Sequence, residues 1–111
     1  MKKVLFIIFN KTEYLEDILA LLVKHGVKGA TILDSQGMGS SIVYNEITNI
    51  PLFGSLKTLL TDRHPYNKTI FTVVNSQEKL EKIVAGLKSL LRDDDKAEGT
   101  FMFTIPVDEI Y

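Results

Sequence analysis

Gly26-Val27-Lys28-Gly29-Ala30-Thr31-Ile32-Leu33-Asp34-Ser35-Gln36-Gly37-Met38-Gly39 is the stretch on which the fold turns. Gly26 stands where the apolar spacing upstream runs out, and glycine accepts the left-handed conformation that closes a helix. The residues after it read as a strand over 27–34, with Ala30 to Asp34 as its short central piece. A Gly-x-Gly turn then releases a long segment of different character.

Working back towards Met1, Leu15, Ile18, Leu19 and Leu22 fall at helical spacing, with Leu21 and Val23 widening the stripe. Lys24 and His25 suit the negative end of a helix dipole, and Asn10 or Thr12 suits the other end as a cap. A helix is predicted over 13–25. Before it, Val4-Leu5-Phe6-Ile7-Ile8-Phe9 is β-branched and aromatic without polar alternation, the pattern of a strand buried on both faces.

Downstream, residues 37–67 form a long arm with no single period. Ile42, Val43, Tyr44, Ile47 and Ile50 suit an extended piece, and Pro51 interrupts it. Phe53, Leu56, Leu59 and Leu60 have the spacing of a short amphipathic helix. A connection this long in a compact domain is often functional. Lys68-Thr69-Ile70-Phe71-Thr72-Val73-Val74 reads as a third strand, and Ser76 caps a second helix whose Leu80, Ile83, Val84, Leu87 and Leu91 share a face. Residues 92–99 are a charged turn. Thr100-Phe101-Met102-Phe103-Thr104-Ile105 is the fourth strand, and Pro106 is expected to end regular pairing.

The order β-α-β, arm, β-α-β over 1–111, a single domain, predicts an α+β ferredoxin-like split βαβ sandwich. In it a four-stranded antiparallel sheet carries two helices on one face. The other face would be apolar as well: Val4, Phe6 and Ile8 oppose Leu5, Ile7 and Phe9, while Phe101, Phe103 and Ile105 oppose Met102. An exposed apolar sheet face of roughly several hundred Å² is rare on a soluble monomer. A homo-oligomer with sheets facing one another is therefore expected, the alternative being an arm that folds back over that face.

Composition narrows the class of partner. The net charge is −1 and the lysines are scattered, which gives no electrostatic footprint for nucleic acid or an anionic membrane. The apolar run 4–9 is far short of the ~20 residues that span a bilayer, so no membrane insertion is expected. Without cysteine there is no disulfide framework or thiolate chemistry. No nucleophile–base set stands out, since Ser35, Ser40 and Ser41 are not in a nucleophile elbow; the chain does not read as an enzyme. Asp93-Asp94-Asp95 with Glu98 offers hard oxygens but not EF-hand spacing, and reads as a solvated turn. His25 and His64 lack partners at metal-ligand spacing. No metal or catalytic residue is assigned. Gly37-Met38-Gly39 lets backbone approach a phosphate, or simply bends the chain; it is neither the Rossmann nor the P-loop pattern.

Gly26-Val27-Lys28-Gly29-Ala30-Thr31 followed by Gly37-Met38-Gly39 resembles the Gly-Val-x-Gly-x-Thr strand and Gly-x-Gly turn of the PII signalling family, whose members are trimeric regulators. The resemblance runs in order along nearly the whole chain. It implies a cytoplasmic homotrimer that binds an adenine nucleotide, ATP or ADP, in the cleft between neighbouring subunits. Carried over by position, the ligand-binding residues are Gly37, Met38, Gly39 and Ser40, with Lys96 and Gly99 from the turn before the last strand. The resemblance also implies a protein target met through the arm 37–67, where Tyr44 falls in the region of the family's modifiable tyrosine. Leu52 and Phe53, in Ile50-Pro51-Leu52-Phe53-Gly54, form either a docking surface or a buried lid. The chain departs from the family in three places. Ser40-Ser41-Ile42-Val43 stands where the family has Arg-Gln-Lys-Gly. Arg92-Asp93-Asp94-Asp95-Lys96-Ala97-Glu98-Gly99 stands for a Gly-rich basic turn, and the basic Arg-x-Arg segment beyond the fourth strand has no counterpart. The function expected is a non-enzymatic regulator that reads a small effector through its arm. Alternatives on the same topology are a CutA-like metal-responsive trimer and an ACT-type amino-acid-sensing module.

Overall fold

The computed structural model describes residues 2–38, 67–91 and 100–111. Its strands are β1 (Lys3–Phe9), β2 (Thr31–Ser35), β3 (Asn67–Val74) and β4 (Thr100–Pro106), and its helices α1 (Leu15–Lys24) and α2 (Gln77–Leu91). The sheet order is β2-β3-β1-β4 and every pairing is antiparallel. This is the ferredoxin-like arrangement expected from the order of elements.

The core explains why β1 does not alternate. Leu5, Ile7 and Phe9 are fully buried against Ile18, Leu22, Leu80, Ile83 and Leu87, so both helices cover that face. Burying each such side chain contributes about 1.5–3 kcal/mol. Val4, Phe6 and Ile8 point the other way and stand opposite Val73, Phe71 and Thr69 on one side and Ile105, Phe103 and Phe101 on the other. Phe6 stacks on Phe103 with centroids 4.8 Å apart, and Phe71 and Phe101 extend the aromatic cluster. No described helix covers this face, and Phe101 there is 62% exposed.

Gly26 closes α1 as the spacing predicts. Its φ is 84°, its N–H donates to Val23 O at 3.0 Å, and the Val27 N–H donates to Leu22 O at 2.9 Å. Those two bonds are a Schellman motif, and Val27 packs on the core beside Leu22. At α2, the Ser76 hydroxyl accepts from the Lys79 N–H at 3.3 Å, the expected N-cap.

Three details differ from the sequence reading. The first helix opens with a 3₁₀ turn, Thr12–Tyr14, flanked by Lys11 without a side-chain cap, so neither Asn10 nor Thr12 caps α1. β2 starts at Thr31 rather than 27, because residues 27–30 carry the chain out of the Schellman turn; there Gly29 O accepts a 2.6 Å bond from the buried Thr72 hydroxyl. Pro106 does not end the β1–β4 pairing. It stands opposite Lys3, and the Val107 N–H still donates to Lys2 O at 3.0 Å. β4 is an edge strand, and on its free side a missing N–H costs no ladder bond. Within α2, a Cβ at Gly86 would lie 2.7 Å from Leu21 Cδ1, so the glycine lets α2 approach the Leu21 side chain of α1.

Candidate functional site

The site is built at one end of the sheet. β1 and β2 finish there, and β3 and β4 begin there, so Asp34, Lys68, Phe9 and Thr100 fall in one row across the four strands. The arm leaves this end just after Ser35 and returns at Asn67, which is the Cα partner of Ser35. The charged turn after Leu91 re-enters the sheet here at Thr100. Ser35, which precedes Gly37 and Met38, and Thr100, which follows the charged stretch, thus lie at the same sheet end.

Polar side chains close the neck of the arm. The Ser35 hydroxyl donates to the side-chain carbonyl of Asn67, lies 3.3 Å from the Asn67 backbone oxygen and is 2.8 Å from the Thr69 hydroxyl. Ser35, Asn67 and Thr69 share the open face of the sheet by register. On the opposite face, Lys68 Nζ reaches Asp34 Oδ1 at 2.5 Å. Such partly exposed bonds are individually worth about 1 kcal/mol or less. Together they hold the two ends of the arm in one register from both sides of the ladder. Just beyond Phe9, Asn10 Oδ1 is buried and has no hydrogen-bond partner among the described residues. An unmatched acceptor of this kind seeks a donor.

Of the predicted site residues, Gly37 and Met38 lie just past Ser35, with Gly37 half-buried and the Met38 side chain exposed. Gly39, Ser40, Tyr44, Leu52, Phe53, Lys96 and Gly99 lie outside the described residues. His25 is the C-cap of α1. Among the described residues there is no group of three or more His, Asp or Glu side chains able to hold a metal ion. No described helix is long and apolar enough to cross a membrane. Sequence reasoning missed the Ser35–Asn67–Thr69 cluster and the buried Asn10 amide. The only signal for the first was a serine just after one predicted strand and an asparagine just before the next, and that signal needs the register to be read.

Comparison with known proteins gives one family. Residues 1–111 match the family model described as nitrogen regulatory protein P-II. No curated relative matches the chain in sequence. Among solved structures, Arabidopsis thaliana PII bound to citrate superposes with a TM-score of 0.63 at 16% identity, covering 96% of this chain and 77% of that one. CPII from Thiomonas intermedia K12, bound to ADP, AMP and acetate, gives 0.61 at 22% identity over 97% and 89%. The apo form of the same nitrogen regulatory PII-like protein gives 0.60 at 20% identity over 94% and 86%. At these identities the superpositions establish the shared fold, and the CutA-like and ACT-type alternatives are not better supported.

Proposed function

The chain belongs to the nitrogen regulatory protein P-II family, and from that premise we propose that it is a non-enzymatic, cytoplasmic signalling protein acting as a homotrimer. An adenine nucleotide bound in the clefts between copies would control a protein target through the arm 37–67. The observation that carries the reading is the open sheet face. Phe6, Phe71, Phe101 and Phe103 form a contiguous aromatic surface that no described helix covers. Covering it with sister copies removes the cost of keeping that surface wet and creates clefts along the sheet edges.

The effector class follows from the sheet end and from the solved relatives. CPII was solved with ADP and AMP, and Arabidopsis PII with citrate. In this chain the ligand set is Gly37, Met38, Gly39 and Ser40 with Lys96 and Gly99. Ser40-Ser41-Ile42-Val43 lacks the family's two cationic donors, and Asp93-Asp94-Asp95 adds negative charge beside Lys96. Fewer cations and more carboxylates favour a ligand with fewer phosphates, so AMP and ADP rank above ATP. The nucleotide works by population shift: it binds one conformation of the arm better and enriches it. Tyr44, Leu52 and Phe53 are the arm residues offered to the target.

A thermal-shift panel on protein of measured mass tests this. AMP or ADP raising the melting temperature more than ATP is the expected result. A response confined to Cu²⁺ or Zn²⁺ would move the reading to a CutA-like trimer, and one confined to amino acids to an ACT-type module.

A further inference from the structure

Beyond β4, residues 108–111 form an acidic-apolar segment. Asp108 and Glu109 precede Ile110 and Tyr111, whose side chains are 53% and 107% exposed. The Tyr111 hydroxyl donates to the Glu109 carboxylate at 2.6 Å, so the polar tip of the ring is satisfied within the segment. What remains is an aromatic ring and an isoleucine presented to water behind two carboxylates. The last backbone bond anchoring the segment to the sheet is that of Val107 to Lys2.

On the helix-covered side of the same edge strand, an open groove of about 530 Å³ runs between α2 and β4. Its lining includes the apolar Leu80, Val84 and Met102, and its charged lining residues are Lys3, Lys88 and Glu81. Among the described residues, neither ammonium takes part in an ion pair. The groove lies in the size range of sites that take a few side chains or a small ligand. Its composition is the complement of the segment: apolar lining to apolar residues, lysines to carboxylates.

We infer that this groove receives residues 108–111 of a second copy of the chain. Ile110 and Tyr111 lie against the apolar lining, and Asp108 and Glu109 face Lys3 and Lys88. The inference rests on the homo-oligomer proposed above and adds a contact that the sheet face does not supply. Within one copy Tyr111 stays fully in water and the groove stays open. A contact in which the segment of one copy enters the groove of the next is satisfied by three copies closing a ring head to tail, the assembly proposed above. The apolar residues supply the attraction, and the charges set direction and register.

The chain has no tryptophan, so Tyr111→Trp introduces a single fluorescent reporter. Three measurements on the full chain are read together: emission wavelength, mass in solution, and both again on dilution. The expected result is blue-shifted emission in the assembled protein, moving to that of a water-exposed indole as copies separate. Adding Lys3→Glu and Lys88→Glu red-shifts the emission while the mass stays that of the assembly. Asp108→Lys with Glu109→Lys in that background restores the blue shift. Water-exposed emission from an assembled protein overturns the groove contact and leaves the proposed function standing. Blue-shifted emission that persists in separated copies places the segment in its own groove and also overturns it. A single copy at every concentration overturns the assembly itself, and this contact with it.

Discussion

Ser35 and Asn67 are Cα partners at the last rung of the β2–β3 ladder although 32 positions separate them, and the Ser35 hydroxyl joins their side chains. The two ends of the arm are therefore joined at one closed rung, braced on its other face by Lys68 and Asp34. Ser35→Ala removes the shared hydroxyl and is expected to cost about 1 kcal/mol. Amide exchange at Asn67 and Thr69 should accelerate more than exchange in the core of β3. An unchanged exchange pattern at the neck would show that the hydroxyl cluster does not hold it.

Gly86 and Leu21 make a coupled pair. Alanine at position 86 gains about 1 kcal/mol of helix propensity in isolation. Its Cβ would meet Leu21 Cδ1 at 2.7 Å, Cγ at 3.4 Å and Cδ2 at 3.5 Å, so the whole end of the leucine is in the way. Overpacking of this kind costs about 1–3 kcal/mol. Gly86→Ala should be net destabilising by about 1 kcal/mol in urea unfolding, and should turn stabilising in a Leu21→Ala background. Stabilisation in the presence of Leu21 would contradict the close approach of the helices.

Gly26→Ala tests backbone strain without crowding. The added Cβ meets only the end of the Lys79 side chain, at 3.4 Å from Nζ, so the loss comes from a φ of 84°. A loss of about 1–2 kcal/mol is expected, and Gly26→Asn should lose less, because asparagine tolerates the left-handed region. Equal losses for the two would point away from the Schellman turn as the cause.

The phenol of Tyr111 titrates above its ordinary value of 10.0, first because it donates to the Glu109 carboxylate and secondarily through desolvation. Ionising the ring destroys the donor and places a second negative charge beside the carboxylate, so the neutral form is favoured. Glu109→Gln should lower the Tyr111 titration towards 10.0 in an ultraviolet pH titration, read as the difference from Tyr111→Phe. No downward movement would mean that the pair does not persist in solution.

The sheet and its two helices were legible because each element writes its own period. Leu80, Ile83, Leu87 and Leu91 mark one helix face, all four buried. The β-branched and aromatic run of β1 marks a strand, of which Leu5, Ile7 and Phe9 are fully buried while Val4, Phe6 and Ile8 are half-buried. Gly26 could be assigned because only one backbone conformation at that position demands glycine. The start of α1 was not legible: a cap depends on the local path of the chain, and Asn10 turns inward instead of capping. Pro106 was read as a stop because its missing N–H was counted without knowing that it faces an outer edge. The site was only partly legible. Gly37 and Met38 follow from a motif, whereas the Ser35–Asn67–Thr69 cluster and the groove beside β4 need the register and the helix packing to bring distant residues together.

Phe6 and Phe103 stack with planes 7° apart on the face that no described helix covers. The mass of the protein in solution, followed by sedimentation over a wide dilution series, tests the account most directly. A species of three times the 12.5 kDa chain mass is expected, falling to one copy when Phe103→Glu places a charge in the stack. A wild-type protein that sediments as a single 12.5 kDa copy at every concentration would contradict it, because the open face would then be wet and no clefts would exist for a nucleotide.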